Sequence, residues 1–497
     1  MKRMRKPRDS IGPAMKQYLT DKGLPVDVAV TFKDVTIIDQ YSVIPSRSDE
    51  YINTGSNLGK KIFLRRPVFS SNMDTITESR MAITLARLGG SGVIHQFLPI
   101  DKRVAEVSKV KRADSLVLKD PLTTSPRTPI KAARTLMETN QISGLIVVDE
   151  RSEEVVGLIS GRDIRWADDG EEVRTRMTPF IHLDVAPPDI SLEEAKKILY
   201  EKRLEKLPLV DQDRRRAGLI TASDISKRER YQFAFRDEKG RLGVAAAVGI
   251  GEDMLREVEI LLGAETDIIV IDTARGNSKR LRDAVKSTRK KFGDKFLLVA
   301  GNVDTPDGVK MLYDSGADAV KVGIGGGAAC KTRLGPGVGL PQLYAVATAA
   351  AVARSYKKSI ISDGGIKSPD DYNKALAAGA DAVMIGGLFA GTEETPGDPF
   401  FEDGQWWKIF RGSASLEFQF SRFDRETPEK HIRNPEGVVR RVKYKGTVAA
   451  VISELIGYQL SAMSYVGAKN IKELHKKARF IRQTRAGYEE GEPHEVF

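Results

Sequence analysis

The sequence predicts an α/β protein, a TIM-type (β/α)₈ barrel that is interrupted by an inserted, smaller domain. Three observations lead to this fold class. Short apolar runs alternate with helical stretches along most of the chain, polar or glycine residues follow most of these runs, and one internal segment is repeated. A length of 497 residues also exceeds what one compact core usually holds, so more than one domain is expected.

Eight apolar runs are predicted to be the barrel strands. Most are rich in Val, Ile or Ala, as expected for parallel strands that are buried on both faces. Helical stretches separate them, for example 253–262 and 306–315. The predicted strands are Pro67–Ser70, Gly92–His95, Gly243–Val248, Asp267–Asp272, Phe296–Ala300, Ala319–Gly323, Ser359–Asp363 and Ala382–Gly386.

A doubly wound parallel sheet is the competing fold. It would require a glycine-rich dinucleotide fingerprint that opens a helix, with an acidic residue about 20 positions further on. The stretch Gly323-Ile-Gly-Gly-Gly327 partly matches such a fingerprint. It is followed by more loop, Leu334-Gly-Pro-Gly-Val-Gly339, rather than by a helix, so the barrel is preferred.

The repeated segment lies between the second and third predicted strands. Each copy has a helical stretch followed by two apolar runs, and Gly157 and Asp163 of the first copy recur at the same spacing as Gly218 and Asp224. Two such units are expected to bury their apolar faces against each other. The pattern resembles a tandem CBS-domain pair, which implies an adenine or guanine nucleotide as ligand. We expect this pair at 113–228, with copies at 121–165 and 179–226, and barrel segments at 1–112 and 229–497.

Composition limits the classes of function. The formal net charge of +11 suits anionic small substrates as well as nucleic acid. No zinc-finger spacing or RNA-binding aromatic motif is present, so no specific nucleic-acid partner is expected. No apolar run is long enough for a transmembrane helix, and the basic N-terminus lacks the apolar stretch of a secretory signal. The single cysteine cannot form an internal disulfide and favours a reducing, cytoplasmic setting.

Polar and glycine residues gather where the predicted strands end. In a barrel these carboxyl ends meet at one face, which carries the active site. The ends of strands seven and eight commonly bind phosphate, because bare backbone N–H groups there can surround an anion. Single glycines are more often simple turn residues, but polar or glycine residues at five successive strand ends favour a binding face. The residues concerned are Asp272, Gly301-Asn302, Gly323, Asp363-Gly-Gly365 and Gly386-Gly387.

Cys330 lies in the glycine-rich loop 323–339 that follows strand six. A lone cysteine is often a small buried hydrophobic residue. Here Lys331 and Arg333 stand beside it, and basic neighbours favour the thiolate, the strongest ordinary nucleophile near neutral pH. We therefore predict that Cys330 is a catalytic nucleophile.

With these residues in place, the sequence closely resembles the IMP dehydrogenase / GMP reductase family over almost the whole chain. The CBS-like insertion resembles the architecture of most IMP dehydrogenases. The segments that carry the resemblance are Phe32-Lys-Asp-Val35, Ser71-Asn-Met-Asp-Thr-Ile-Thr-Glu78, Val270-Ile-Asp-Thr-Ala274, Ala300-Gly-Asn-Val303, the loop 323–339, Ser362-Asp-Gly-Gly365 and Ala390-Gly-Thr-Glu-Glu-Thr-Pro-Gly397.

The resemblance implies a reaction and a set of site residues. Cys330 would add to C2 of IMP, a hydride would pass to NAD⁺, and water would release XMP from the covalent thioimidate. Thr332 would lie near the reacting centre. The resemblance assigns substrate binding to Ala328, Asp363, Gly365, Gly386, Gly387, Gly412 and Glu436. It assigns cofactor binding to Asp272, Asn302 and Gly323. It assigns a monovalent cation, K⁺, to Gly325, Gly327 and Cys330 together with Glu490, Gly491 and Glu492 of a neighbouring subunit.

The resemblance, with a cation site shared between subunits, implies a homotetramer, and an octamer is the alternative assembly. The segment 411–443 resembles the family's mobile flap. Within it, Arg425 stands where the family has a general-base arginine, and Glu436 stands where the N1 edge of the purine is read. Isolated loop charges are more often plain solvated residues.

Several positions depart from the dehydrogenase pattern. Ala328 stands where dehydrogenases usually have Ser, Phe410 where they have Tyr, and Glu426 where they have Tyr after the arginine. Asn72 and Gly387 are more typical of the reductase branch. Two alternatives to the dehydrogenase therefore stay open: an NADPH-dependent GMP reductase that releases ammonia, and a divergent regulatory paralogue with a weakened site.

Overall fold

The structure is a computed structural model that describes residues 12–59, 61–114, 118, 121–140, 142–412 and 436–492. The described residues form two compact units. The first comprises the chain up to residue 111, residues 233–237 and the chain from 242 onward; the second comprises 112–232 and 238–241.

Eight parallel strands close into a barrel in the first unit, which confirms the predicted fold class. The last strand in sequence pairs with the first, and the second pairs with the third. Predicted and observed bounds agree to within two residues except for the fifth strand, which runs three residues further, to Val303. The strands are β1 (Val68–Ser70), β2 (Ser91–Ile94), β3 (Ala245–Val248), β4 (Ile268–Asp272), β5 (Leu297–Val303), β6 (Ala319–Val322), β7 (Ser359–Asp363) and β8 (Ala382–Ile385).

A helix follows each barrel strand, as the alternating pattern predicts. Several begin at a side-chain cap that satisfies a free N–H group. Ser278 accepts from Leu281 N at 3.3 Å, and Thr305 accepts from Gly308 N at 3.3 Å. The helices are α1 (Ser79–Arg87), α2 (Ile100–Ala113), α3 (Met254–Gly263), α4 (Lys279–Phe292), α5 (Pro306–Asp314), α6 (Gln342–Tyr356), α7 (Pro369–Ala377) and α8 (Val448–Val466).

Smaller elements complete this unit. Antiparallel pairing joins Val35–Ile38 to Arg479–Arg482, and Ser56–Leu58 to Ile62–Leu64. A three-stranded sheet brings both described ends of the segment 411–443 together, because Arg411 pairs with Val439. The strands of this sheet are Phe400–Glu402, Gln405–Arg411 and Val439–Lys443, and the remaining helices are Pro13–Asp21, Phe32–Asp34 (3₁₀), Ile471–Lys477 and Arg485–Glu490.

The barrel interior is a packed core of alternate strand residues. Successive side chains of a strand point to opposite faces, so residues two apart share a face. Val270 of β4, Ala319 of β6 and Ile361 of β7 all belong to this core. The residues two positions further along these strands therefore also face the barrel axis, at its carboxyl end.

The second unit contains two copies of one arrangement, a helix followed by an antiparallel strand pair. Each copy has its own buried apolar cluster, and a third cluster joins them through Ile146, Val155 and Leu219. The elements are Thr123–Thr124, Ile130–Thr139, Gly144–Val148, Val155–Ser160, Val173–Thr175 (3₁₀), Thr178–Pro179 and Phe180–His182 (3₁₀) in the first copy and Leu192–Glu201, Lys206–Val210, Arg216–Thr221 and Ala222–Arg230 in the second. The internal repeat is thus seen as matching elements, and its assignment as a CBS pair stays a prediction.

None of the helices in the described ranges is long and apolar enough to cross a membrane.

Candidate active site

Three charged side chains meet at the carboxyl end of the barrel axis. Asp272, Lys321 and Asp363 each lie two positions after an interior core residue, on β4, β6 and β7 respectively. Lys321 Nζ lies 2.6 Å from Asp272 Oδ1 and 3.0 Å from Asp363 Oδ2. One ammonium group therefore connects the strand end predicted for the cofactor to the strand end predicted for the substrate.

Lys321 is almost completely buried. Burial alone would lower the pKa of its ammonium group, but the negative charges of Asp272 and Asp363 hold that pKa above the ordinary lysine value. Lys321 Nζ also donates to Asn72 Oδ1 at 3.4 Å. The lysine is thus charged and fixed by its neighbours, which makes it suited to orienting two carboxylates rather than to exchanging protons.

Asn302 extends this polar cluster along β5. Its Nδ2 donates to Gly323 O and to Asp363 Oδ2, each at 2.9 Å. Its Oδ1 is buried and accepts no hydrogen bond from the part of the chain that is described. The same holds for Gln342 Oε1, at the start of α6. Buried polar atoms without partners are costly, and they are what a polar ligand would satisfy.

The glycine-rich loop packs against the ends of the neighbouring strands. Gly365 N donates to Gly326 O at 2.8 Å. A Cβ placed on Gly323 would lie only 2.1 Å from Asp363 O, and one on Gly387 would lie 3.2 Å from Ala328 Cβ. The glycines that follow β6, β7 and β8 therefore form one surface. The backbones approach each other so closely there that only residues without a side chain fit.

Cys330 belongs to a short hydrogen-bonded chain of side chains. Its Sγ lies 3.2 Å from Thr332 Oγ1, and Thr332 Oγ1 donates to Glu436 Oε2 at 2.7 Å. Because the single hydroxyl proton of Thr332 points to the carboxylate, the thiol is left as the donor to Thr332. The chain therefore forms a path for a proton from the sulfur to a carboxylate.

Backbone contacts hold this chain in place. Lys331 N donates to Glu436 O at 2.6 Å, and Cys330 forms an isolated β-bridge with Gly437. Gly412 N donates to Val438 O at 3.1 Å, and Val438 N donates to Ala329 O at 3.0 Å. The end of the segment at 436–438 is therefore attached to the loop 323–339, and Gly412 is attached to that end.

An ion pair anchors the same segment to the loop after β1. Arg411 Nε donates to Asp74 Oδ2 at 2.7 Å, and Arg411 N lies 3.3 Å from Thr75 Oγ1. The Asp74 side chain is only 10% exposed, so this pair is well shielded from solvent. Both residues in the β1 loop belong to a stretch that carries the family resemblance.

The residues predicted to hold a cation occupy two separate places in the chain. Gly325, Gly327 and Cys330 lie in the cysteine loop, where Cys330 N donates to Gly327 O at 3.0 Å. Glu490 ends the helix Arg485–Glu490, and Gly491 and Glu492 follow it. Backbone carbonyl oxygens are hard ligands of the kind that an alkali cation prefers. No group of three or more His, Cys, Asp or Glu side chains in the described ranges could hold a metal ion.

The structure brings together most of the predicted site residues. Ala328, Cys330 and Thr332 belong to the loop 323–339, and Gly365, Gly387, Gly412 and Glu436 lie against it. Asp272 and Asp363 pair with Lys321, and Asn302 links Asp363 to Gly323. Gly386 lies beside the loop that follows β1, because a Cβ added there would lie 3.4 Å from Met73 Sδ. Arg425 and Glu426 lie outside the described residues.

Sequence reasoning missed Lys321 and Gln342. A lysine inside the apolar run Ala319–Val322 was the available signal, because lysine is rarely buried unless it is paired. Sequence reasoning also expected Lys331 and Arg333 to act on the sulfur. Both are exposed, and the hydrogen-bond partner of the sulfur among the described residues is Thr332.

Known proteins resemble this chain over nearly its full length. The sequence profile of the IMP dehydrogenase / GMP reductase domain matches residues 29–494. An inosine-5'-monophosphate dehydrogenase of Aquifex aeolicus is 46% identical over 94% of this chain and 95% of its own length. A second one, of Nitrosopumilus maritimus, is 41% identical over 94% of this chain and 98% of its own length.

Solved structures show the same architecture. A Cys-to-Ala variant of GMP reductase from Trypanosoma brucei, in complex with guanosine 5'-monophosphate, superposes with a TM-score of 0.89 at 36% identity, over 95% of this chain and 99% of that one. GMP reductase from the same organism in complex with guanosine 5'-triphosphate gives a TM-score of 0.80 at 32% identity, over 92% and 98% of the two chains. By profile, sequence identity and fold, the chain belongs to the IMP dehydrogenase / GMP reductase family.

Proposed function

We propose that this protein oxidises IMP to XMP with NAD⁺ as the hydride acceptor, a step of guanine nucleotide biosynthesis. The observation that carries the proposal is the near full-length similarity to proteins named inosine-5'-monophosphate dehydrogenase. The arrangement of Cys330, Thr332 and Glu436 supports it, because it supplies a nucleophile and a route for the proton of that nucleophile.

Cys330 acts as the nucleophile. As the Sγ–C2 bond forms, the thiol proton passes to Thr332, whose own proton passes to Glu436. In this addition the C2=N3 electron pair moves to N3. When the C2–H bond breaks, the N3 pair forms the double bond again and a thioimidate results; NAD⁺, when bound, would accept the hydride. Water then adds to C2, and the C2–S bond breaks to give XMP and the free thiol. Splitting one difficult substitution into two steps is the general advantage of a covalent intermediate.

The polar cluster at the barrel axis is assigned to holding the two ligands. Asp363, Gly365, Gly386, Gly387, Ala328 and Gly412 would hold the ribose and phosphate of IMP, and Glu436 would read N1 of the purine as well as receive the proton. Asp272, Asn302 and Gly323 would lie on the nicotinamide side. The unpartnered Asn302 Oδ1 fits this role, because an amide donor could satisfy it. When bound, NAD⁺ supplies the hydride acceptor.

Further proposals rest on the family assignment. Carbonyl oxygens of Gly325, Gly327 and Cys330 would hold K⁺ together with Glu490, Gly491 and Glu492 of a neighbouring subunit in a homotetramer. The repeated unit would be a CBS pair that binds an adenine or guanine nucleotide and joins tetramers into octamers. A cytoplasmic location suits the single free cysteine.

A GMP reductase is the second candidate. The solved relatives in complex with guanine nucleotides favour it, as do Asn72 and Gly387, which are typical of that branch. Such an enzyme would use NADPH and expel ammonia from GMP. A divergent regulatory paralogue with a weakened site is the third, motivated by Ala328 and Phe410.

One absorbance experiment at the nicotinamide band distinguishes these functions. The purified protein is supplied with IMP and NAD⁺ in one cuvette and with GMP and NADPH in another. Appearance of NADH in the first supports the dehydrogenase, and loss of NADPH in the second supports the reductase. The absence of both signals, in a protein that still binds IMP, supports the regulatory paralogue and contradicts our proposal.

A further inference from the structure

A second cluster of charged side chains lies at the other end of the barrel. It is built around the amino-terminal ends of β7 and β8, where α6 and α7 return, and it includes the helices Pro13–Asp21 and Ile471–Lys477. These elements enclose a cavity of about 450 Å³. Its charged lining consists of Asp21, Lys22, Arg354, Lys472, Lys476 and Arg479, and we call it the basic cavity.

Carbonyl groups, rather than carboxylates, accept hydrogen bonds from three of these cations, Lys22, Arg354 and Arg479. Lys22 Nζ donates to Ala377 O at 2.6 Å, and Arg479 donates to Ala478 O at 3.0 Å. Arg354 donates to His475 O at 3.0 Å, and its guanidinium stacks 4.3 Å from the centre of the Tyr18 ring. Within the described part of the chain, none of the five cations forms an ion pair with a carboxylate.

Nearby carboxyl groups do not balance the positive charge. Asp21 is the only acidic side chain among the described residues that line the cavity, and it accepts from Gln17 at 2.7 Å. Asp381 lies close by, but burial raises its pKa to about 7, so it carries only part of a charge near neutral pH. The basic cavity therefore has a clear excess of positive charge.

Lys22 shows the effect of this excess most directly. Its side chain is only 2% exposed. Burial first, and then the charges of Arg354 and Arg479, lower its pKa to about 7. His475 does not add charge, because burial and Lys22 lower its pKa to about 3. An anion in the cavity would favour the protonated form of Lys22, and the protonated lysine would in turn favour the anion.

We propose that the basic cavity is a binding site for a phosphoryl group, either as free phosphate or carried on a small metabolite. A phosphate dianion offers several acceptor oxygens, and arginine and lysine together are the usual donors for such a group. A volume of about 450 Å³ also lies in the range of small-molecule pockets. The site is separate from the Cys330 site, which lies at the carboxyl end of the strands.

The test measures binding by calorimetry on the full chain with one molar equivalent of IMP, so that the catalytic site is filled and no excess phosphate ester competes for the cavity. Inorganic phosphate and ribose 5-phosphate are the two probes, since they carry the same group alone or on a metabolite. The test variant combines Lys472→Gln and Lys476→Gln, whose exposed side chains can change without disturbing the core. The control combines Lys310→Gln and Lys469→Gln, which lose the same charge on exposed positions outside the cavity.

We expect binding to weaken at least about tenfold in the test variant, because each lost charge-assisted contact costs about that much, and to stay unchanged in the control. Tighter binding of phosphate than of the sugar phosphate would identify the free anion as ligand, and the reverse order would identify a metabolite. Equal affinities in the two variants, or no binding of either probe up to about 10 mM, would overturn the proposal. The experiment measures binding and not turnover, so its result does not depend on whether the protein oxidises IMP.

Discussion

Replacing Lys321 by Met removes the charge that holds two carboxylates together at the barrel axis. Methionine has a similar length and no charge, so packing changes little. Asp272 and Asp363 are then left facing each other in a mostly buried place, with side-chain exposures of 20% and 17%. Breaking a buried ion pair by removing one partner typically costs about 3–5 kcal/mol, which is a large share of the roughly 5–15 kcal/mol that stabilises a native domain.

Urea unfolding followed by tryptophan fluorescence measures this cost. The chain has three tryptophans, and Trp406 and Trp407 lie in the barrel unit. A Trp166→Phe background removes the signal of the second unit, so that the transition reports the barrel. Lys310→Met, at an exposed position of α5, is the matched control and should change the free energy of unfolding by less than about 0.5 kcal/mol.

A second substitution makes the test specific for charge. Adding Asp272→Asn to Lys321→Met removes one of the two opposing negative charges, so the double variant should be more stable than Lys321→Met alone. Such non-additivity is the expected sign of groups that share one ion-pair network. A loss below about 1 kcal/mol in Lys321→Met, or no recovery in the double variant, would refute the role we assign to this lysine.

Three further predictions address the chemistry and the domain organisation. Cys330→Ala should abolish turnover and leave IMP binding nearly intact, and IMP should protect the wild type from iodoacetamide; normal turnover by the variant would end the covalent mechanism. Arg425→Ala should give a burst of NADH near one per active site and then slow turnover with trapped covalent nucleotide; equal slowing of both phases with IMP would contradict its role in activating water. A deletion that joins Arg112 to Glu229 through a short linker should leave a folded, active barrel; a soluble, folded but inactive product would show that the inserted unit is needed for catalysis.

The barrel could be predicted from sequence because its signals are local. A parallel strand buried on both faces is a short apolar run whatever its neighbours are, and a helix follows each run. The polar and glycine residues at the strand ends could be predicted for the same reason, since topology brings all carboxyl ends to one face. Asp272 and Asp363 were found in this way.

Long-range pairing could not be predicted in the same way. Lys321 is 42 positions from Asp363 in the sequence. The residues Ala319–Val322 alone do not indicate which carboxylate pairs with this lysine. The contact between Thr332 and Glu436 spans 104 positions. The family resemblance assigned Glu436 to the purine edge, and only the folded chain shows its carboxylate on the hydroxyl next to the nucleophile.

We expect the contact between Cys330, Thr332 and Glu436 to suit either of the two reactions of the family. A dehydrogenase forms the C2 thioimidate by removing a hydride from IMP, and a reductase forms it by expelling ammonia from GMP. Both reactions need the Cys330 sulfur at C2 and a group that accepts its proton. The contacts between Cys330, Thr332 and Glu436 therefore do not distinguish a dehydrogenase from a reductase. Selection depends on what reacts with the thioimidate next: water in one case, a hydride from NADPH in the other. A residue that activates water is useful only to the dehydrogenase, and for this reason the NADH burst of Arg425→Ala reports the branch as well as the role of one arginine.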